Sequence, residues 1–284
     1  MSTKARQYDA QVLRREQLSE HFVRIVLGGP GLAGFTSTGI PDEWVGLIVP
    51  GQFQSRYYTV RSWDPAIGAA GELVLDIVVH DVGLVTEWAR LDPALIVGQT
   101  VTITEPKGSF ALPSGAGWLL LVGDLTGLPA MARIHEEITA AGGPPVRLWV
   151  EAPAVVEAYL PADADVAWST PPGDDASVLA AVVEGVDWPP GEGYFWMAGE
   201  SSQMRAIRKH LMREVKLPST AYDVMGYWRG GAVRQPRAVD PGPIYRAGKA
   251  AGKTDEQIWA DYDAAQQRAV QEQTGEAGNE GAQQ

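Results

Sequence analysis

The hydrophobic periodicity of this chain changes at residues 111–117, and this change limits the folds that the sequence can adopt. From Tyr8 to Leu112, short segments of alternating apolar and polar residues, such as Leu73–Val79, are separated by Gly and Pro. Alternation with a period of two is typical of strands that bury one face, and several such strands in series predict an antiparallel β-barrel. Residues 1–113 are therefore predicted to form a β-barrel domain.

The part of the chain after this change alternates continuous apolar runs with helical patterns. Continuous apolar runs of strand length are typical of parallel strands buried on both faces. The alternation predicts a doubly wound parallel sheet over residues 117–237. The predicted strands are Trp118–Val122, Val146–Val150 and Gly193–Met197, and the predicted helices are Met131–Ala141, Ser177–Val183 and Ser202–Val215. Residues 238–284 are predicted to form an extension with a helix at about 254–272 and a disordered end.

The composition excludes several classes of function. A formal net charge of -12 argues against binding to nucleic acid or to an anionic membrane surface. The absence of cysteine excludes disulfides, thiolate nucleophiles and cysteine-ligated iron–sulfur clusters. The four histidines lack metal-ligand spacing, so no protein-held metal is expected. The N-terminal sequence has no signal-peptide core and no apolar run approaches ~20 residues, which predicts a cytoplasmic protein without stable membrane insertion.

The hexapeptide Arg56–Arg61 carries two cations, two phenols and a hydroxyl on a predicted strand. Because side chains alternate along a strand, its even-numbered residues are expected on one face and its odd-numbered residues on the other. Aromatic rings can lie along a flat heterocycle while guanidinium groups hold a phosphate, and a flavin dinucleotide needs both. The alternative interpretation is an ordinary strand, since Tyr and Thr favour strands.

Four further segments place glycine or aromatic residues next to predicted strands. Gly123–Pro129 and Asp81–Thr86 each combine glycine with a helix start, which suits a phosphate. Trp196–Glu200 ends an apolar run with small residues that leave room for a nicotinamide ring. Tyr227–Gly231 is predicted to be a loop, because the periodicity is lost after Tyr222, and its aromatic pair could stack on a ring. Each segment could also be an ordinary turn or a close-packed contact.

Taken together, these segments resemble the motifs of the siderophore-interacting proteins, which are flavin-dependent ferric-siderophore reductases related to ferredoxin–NADP reductases. The likeness covers about residues 8–237. The family's R-x-Y-T flavin motif is matched by Arg56, Tyr58 and Thr59. The other matching segments, in the family's order, are Val79–Trp88, Gly123–Ala130, Trp196–Glu200 and Tyr227–Gly231.

The resemblance implies a fold and a set of binding residues. The fold is a six-stranded antiparallel FAD-binding β-barrel, followed by a doubly wound parallel-sheet NAD(P)-binding domain and a C-terminal helical extension. The residues implied for FAD are Arg56, Tyr57, Tyr58, Thr59, His80, Gly83, Thr86 and Trp228. Those implied for NAD(P)H are Gly123, Asp124, Thr126, Glu151, Ala198, Gly199 and Glu200. The candidate cations for an anionic siderophore are Arg61, Lys107 and Arg229.

Three of these residues have specific roles in the interpretation. Arg56 would clamp the pyrophosphate, Tyr58 would stack on the isoalloxazine and Thr59 would hydrogen-bond the ring edge near N5. Two residues depart from the family pattern, because Leu125 stands where the family has Glu and Asp81 where it has Gly. These departures leave the details of cofactor binding open.

The implied function is reduction of a ferric siderophore, with hydride passing from NAD(P)H to FAD and single electrons from the flavin to chelated Fe(III). Glu151 ends the second apolar run and no cation follows it closely, which favours NADH over NADPH. A monomer is expected, with a ferric siderophore as substrate and an electron-donor protein as a further candidate partner. Two alternatives remain open: a general NAD(P)H-dependent flavin or electron-transfer reductase, and a non-catalytic siderophore carrier.

Overall fold

A computed structural model describes most of the chain up to residue 230 and isolated residues beyond it. The continuous described ranges are 6–52, 54–79, 83–156, 158–173 and 176–230. Within them, no helix is long and apolar enough to cross a membrane.

The chain divides into two compact units. The first contains residues 1–49 and 55–231, and the second contains residues 50–54 and 232–284. Five described residues of the second unit are helical, namely Ile244, Ala247, Gln257, Ala264 and Ala265, and the last three lie within the predicted helix. The rest of the predicted helix at 254–272 and the predicted disordered end lie outside the described residues.

The N-terminal part of the first unit is a closed barrel of six antiparallel strands, in the order β1-β2-β5-β4-β3-β6. Its elements are β1 (Gln7–Gln17), β2 (Phe22–Gly28), β3 (Trp44–Ile48), β4 (Arg56–Asp64), β5 (Glu72–Val78), α1 (Leu84–Ala89), α2 (Pro93–Ile96) and β6 (Thr100–Thr104). Inward-facing residues such as Ile25, Leu47 and Leu75 are fully buried in one core. The predicted six-stranded antiparallel barrel is confirmed.

The C-terminal part of the first unit is a five-stranded parallel sheet, in the order β11-β10-β7-β8-β9. Its elements are β7 (Leu119–Asp124), α3 (Leu128–Ala140), β8 (Val146–Glu151), β9 (Asp165–Ser169), α4 (Leu179–Glu184), β10 (Tyr194–Glu200), α5 (Met204–His210), a π-helical turn (Leu211–Val215) and β11 (Tyr222–Trp228). In β7, Leu119 and Leu121 pack in the same core as α3, whereas Leu120 and Val122 pack with α4 and α5. Because both faces are covered, the prediction of a doubly wound sheet is confirmed.

Two strands of the sheet, β9 and β11, are absent from the sequence interpretation. Both are edge strands, so each pairs with one neighbour and is only partly buried. The prediction that Tyr227 and Trp228 lie in a loop is wrong, because they are the last two residues of β11. β11 is a partly buried edge strand that contains Asp223 and Gly226, so its sequence lacks the apolar periodicity from which strands are predicted.

Buried polar contacts join the barrel to the sheet. The Arg133 guanidinium on α3 donates to the Glu43 carboxylate at 2.9 Å and to the Val60 carbonyl at 2.8 Å. The indole nitrogen of Trp196 on β10 donates to Asp42 at 3.1 Å. Asp42 and Glu43, just before β3, are fully buried, so these contacts join the start of β3 and the middle of β4 to the sheet domain.

Candidate functional site

A cleft of about 840 Å³ lies between β4 of the barrel and the parallel sheet. Its barrel side includes Trp44 and residues 55–59, and its sheet side includes the start of α3 and residues 223–228. Ligands of doubly wound sheets bind beyond the carboxyl ends of the strands, and this cleft reaches the carboxyl end of β11. The cleft brings together six of the residues predicted to bind cofactors, namely Arg56, Tyr57, Tyr58, Thr59, Thr126 and Trp228.

Residues 56–59 of β4 all line the cleft, and their burial increases along the strand. Tyr58 packs against the barrel core, next to the fully buried Val60. Tyr57, on the other face, is 69% exposed, and Thr59 is buried. Burial raises the pKa of Tyr58 to about 12, and the neighbouring Arg56 opposes this rise in part. The Tyr58 phenol is therefore neutral near pH 7.

Arg56 and Arg61 differ in what they contact. Arg56 is exposed at the rim of the cleft and forms no ion pair with any residue that the structure describes. Arg61 donates to both carboxylate oxygens of Glu136 on α3. Arg56 can thus receive an anion, whereas the Arg61 guanidinium joins the barrel to α3.

The other two candidate substrate cations lie close to the cleft. Lys107 is exposed, and its backbone amide donates to the carbonyl of Trp44, a cleft residue, at 3.0 Å. Arg229 is exposed and directly follows Trp228. Both side chains therefore start from positions next to the rim.

Tyr227 is a cleft residue that the residue-by-residue prediction missed. Its hydroxyl is buried and lies beside Thr59 without a well-formed hydrogen bond to any described residue. Burial raises the pKa of Tyr227 far above its ordinary value, so the group stays a neutral phenol. A buried hydroxyl without a well-formed partner is costly, and the polar edge of a bound ring could supply that partner. Its position in the Tyr-Trp-Arg segment was the only signal in the sequence.

The residues of the cleft fit FAD. Arg56 offers an unpaired cation for a pyrophosphate, and Tyr57, Tyr58 and Trp228 offer ring surfaces. The unpartnered Tyr227 hydroxyl offers a polar contact to the ring edge. No group of three or more His, Asp or Glu side chains in the described ranges could hold a metal ion.

Asp124 is buried at the carboxyl end of β7, and its contacts lie within the chain. One carboxylate oxygen accepts from the Thr126 amide at 2.8 Å and from the Thr126 hydroxyl at 2.6 Å. The other accepts from the Trp228 indole nitrogen at 2.6 Å. Burial raises the pKa of Asp124, the hydrogen bonds from Thr126 and Trp228 oppose this rise, and the nearby Glu151 adds to it.

Gly123 at the end of β7 and Gly127 in the loop after it allow close packing on β10. A Cβ atom at Gly123 would lie 2.8 Å from the Ala198 carbonyl oxygen, and one at Gly127 would lie 2.7 Å from the same atom. The close approach that these glycines allow is therefore to the backbone of β10.

Replacing Gly127 by Ala is expected to lower the free energy of unfolding by about 1–3 kcal/mol, because the backbone at Ala198 must shift to admit a methyl group. Chemical denaturation measures the change. Gly173→Ala is the matched control, since a Cβ atom there meets nothing within 4 Å. Equal stability of the two variants would show that the contact between loop and strand has no energetic weight.

The two glutamates predicted to bind the nicotinamide cofactor also contact backbone amides. Glu200 accepts from the amides of Ser202 at 2.8 Å and Gly230 at 3.0 Å. Burial opposes ionisation of Glu200, but the hydrogen bonds from Ser202 and Gly230 outweigh it and lower the pKa. Glu151 accepts from the Val178 amide at 2.7 Å, just before α4. Both carboxylates therefore fix loops at the strand ends.

The remaining predicted residues lie in four places. His80 and Asp81 lie outside the described residues. Gly83 has a φ of 150° at the start of α1, a conformation that favours glycine, and Thr86 is buried in that helix. Leu125 packs partly buried against the core on the α3 side of the sheet. Ala198 and Gly199 are buried within β10.

Two family models match this chain. The model described as siderophore-interacting FAD-binding domain matches residues 11–56 and 51–110. The model described as siderophore-interacting protein matches residues 116–231. These ranges correspond to the barrel and to the parallel sheet.

Named relatives and a solved structure agree with these two family matches. The NADPH-dependent ferric-chelate reductase of Escherichia coli is 31% identical over 148 residues, which is 45% of this chain and 56% of that protein. The ferric vibriobactin reductase ViuB of Vibrio cholerae is 25% identical over 77% of this chain and 88% of its own length. The crystal structure of a siderophore utilization protein from T. fusca superposes with a TM-score of 0.67 and 24% identity, covering 80% of this chain and 94% of that one.

Proposed function

This chain belongs to the siderophore-interacting protein family, and from this premise we propose that it is a cytoplasmic, flavin-dependent ferric-siderophore reductase. Two relatives are named as reductases of ferric chelates, which supports an oxidoreductase. The observation that carries the proposal is the cleft, in which Arg56, Tyr58 and Thr59 face Tyr227 and Trp228.

The barrel side of the cleft supplies the residues for FAD. Arg56 holds the pyrophosphate, because it is exposed at the rim without an ion-pair partner among the described residues, whereas the other arginine that lines the cleft, Arg208, donates to the Val224 carbonyl. Tyr58 presents a neutral ring to the isoalloxazine, and the Thr59 and Tyr227 hydroxyls lie together where a polar ring edge needs partners. Tyr58 and Val60 pack against the barrel core, which supports this wall from behind.

The sheet side of the cleft supplies the site for NAD(P)H. The strand order reverses between β7 and β10, and nucleotides bind doubly wound sheets at such a switch point. FAD, when bound, takes up a hydride from the nicotinamide and gives up electrons one at a time to ferric iron. The chain itself would orient the two rings, and hydride transfer between them needs no general acid or base from the protein.

The rim of the cleft supplies the contacts for the ferric siderophore. Lys107 and Arg229 are exposed beside Trp44 and Trp228, where cations attract an anionic chelate. Arg61 has both terminal nitrogens engaged by Glu136, so we assign no substrate contact to it.

NADH is the proposed hydride donor. Residues 152–156, which follow β8, contain no cation to receive a 2′-phosphate. The E. coli relative is named as NADPH-dependent, so the preference needs a direct comparison. We expect kcat/KM to be at least about tenfold higher with NADH, and a tenfold preference for NADPH would overturn this assignment.

The decisive experiment is an anaerobic titration of the purified, FAD-loaded protein. We expect the flavin absorbance to be bleached by NADH and to return on addition of a ferric hydroxamate or catecholate, with Fe(II) trapped by a chromogenic chelator. Failure of any nicotinamide to bleach the flavin would indicate a carrier. Bleaching followed by reoxidation with free flavin or a protein acceptor, and no Fe(II) from ferric siderophores, would indicate a general reductase.

A further inference from the structure

The Trp228 indole is held across the carboxyl ends of two neighbouring parallel strands. Trp228 ends β11, and its backbone carbonyl accepts from the Ser201 amide, just after β10, at 2.7 Å. Its indole nitrogen reaches over to Asp124 at the end of β7, at 2.6 Å. The ring thus spans the switch point of the sheet and lines the cleft at the same time.

The Asp124 carboxylate has no room for a ligand atom. One oxygen is occupied by the amide and hydroxyl of Thr126. The other lies so close to the backbone of Gly199 that a Cβ atom there would come within 2.6 Å of it. A charged carboxylate facing a pyrophosphate would also repel it. The sequence suggested that Asp124 binds the nucleotide directly. This geometry argues against such a contact.

We propose that Asp124 is a positioning residue for the nicotinamide donor, which acts by fixing the Trp228 ring as the wall between the flavin cleft and the switch point. This inference rests on the proposed function. The backbone of Trp228 is held independently through Ser201, and the Gly230 amide is held by Glu200 at 3.0 Å. Asp124 therefore controls the direction of the side chain rather than the path of the chain.

The test uses Asp124→Asn, Trp228→Phe and the double variant. Asparagine keeps an oxygen for Thr126 but turns an amide donor towards the indole N–H, which breaks the contact. Phenylalanine keeps a ring and removes the N–H. Asp165→Asn is the matched control, since Asp165 is an exposed carboxylate at the start of β9.

The first readout does not depend on any cofactor. The chain has ten Trp residues, so the amide-proton NMR spectrum of the nitrogen-15 protein should contain ten indole N–H signals. We expect Trp228→Phe to remove one of them and Asp124→Asn to shift that same signal upfield. An unshifted signal in Asp124→Asn would overturn the proposed contact.

The second readout separates the nicotinamide from the flavin. Spectral titration of the oxidised, FAD-loaded protein with NAD⁺ should give a Kd raised about tenfold in each single variant, with the FAD Kd of Asp124→Asn changed less than about twofold. The double variant should be no weaker than the weaker single variant, because both changes remove one interaction. The inference would be overturned if the increase in NAD⁺ Kd of the double variant were the product of the two single increases. It would also be overturned if Asp124→Asn lost FAD affinity to the same extent as NAD⁺ affinity.

The outcomes distinguish this inference from the proposed function. If the unaltered protein binds neither FAD nor a nicotinamide, the proposed function fails. If the unaltered protein binds FAD and a nicotinamide but the variants do not behave as expected, only the positioning role of Asp124 is contradicted. If Asp124→Asn does not fold, Trp228→Phe decides, and an unchanged NAD⁺ Kd in that variant contradicts the proposal.

Discussion

Replacing Arg56 by Ala is expected to raise the Kd for FAD by about 10–100-fold and to give a protein that loses its yellow colour on gel filtration. Arg56 lies at the rim of the cleft and forms no ion pair with the described residues, so its charge is available to an anion. Hydrogen bonds to charged groups contribute about 1.5–3 kcal/mol, which corresponds to the expected loss of affinity. Fluorescence titration of the apoprotein with FAD measures it.

Two further variants show which property of Arg56 matters. Arg56→Lys keeps the charge but loses the planar fork, so an intermediate Kd is expected if the contact is bidentate. Arg14→Ala makes the same change of charge on the barrel surface, where Arg14 pairs with Glu72, and should leave the FAD Kd unchanged. Equal FAD affinities of Arg56→Ala and Arg14→Ala would show that Arg56 does not contact the cofactor.

The fold was predictable from the sequence because the two parts of the chain bury their residues differently. Barrel strands such as β1 alternate in burial, and central parallel strands such as β7 are buried at every position. Each pattern can be recognised within a short segment of the sequence. The periodicity therefore distinguished antiparallel barrel strands from buried parallel strands. The edge strand β11 was missed because its hydrogen bonds to β10 are not visible in its own composition.

The candidate site was predictable only where residues lie on one element. Arg56, Tyr58 and Thr59 are neighbours on β4, and all three line the cleft. The contact between Asp124 and Trp228 joins residues 104 positions apart, so spacing gave no sign that the carboxylate is already bound within the chain. The same is true of Tyr227, whose isolation from hydrogen-bond partners follows from packing alone.

Replacing Arg133 by Ala is expected to lower the free energy of unfolding by about 3–5 kcal/mol, because Glu43 would remain buried without its cation. The two side chains are 2.9 Å apart, and Glu43 is fully buried. Ser37 and Thr38 would still donate to Glu43, but neither carries a charge. Chemical denaturation at a fixed FAD concentration measures the loss. In thermal denaturation, the same loss should lower the melting temperature by about 6–20 °C.

The pH dependence of this loss identifies its origin. Burial raises the pKa of Glu43, but the hydrogen bonds from Ser37, Thr38 and Arg133 outweigh it, so the folded pKa lies below the unfolded value of 4.5. A depressed folded pKa contributes stability that is fully present above pH 4.5 and is lost as the pH falls through the folded value. The difference between the native protein and Arg133→Ala should therefore be largest above pH 5 and shrink in acid.

Arg147→Ala is the matched control for Arg133→Ala. Arg147 pairs with Asp165 at 3.4 Å, but their side chains are 47% and 66% exposed. Exposed pairs contribute about 0–1 kcal/mol, so this variant should change stability little at any pH. If both variants lose the same stability, or if the Arg133→Ala loss is unchanged from pH 7 to pH 4, the pair does not join barrel and sheet energetically. A large loss confined to Arg133→Ala would mean that the buried pair of Arg133 and Glu43 holds the barrel side of the cleft against the sheet.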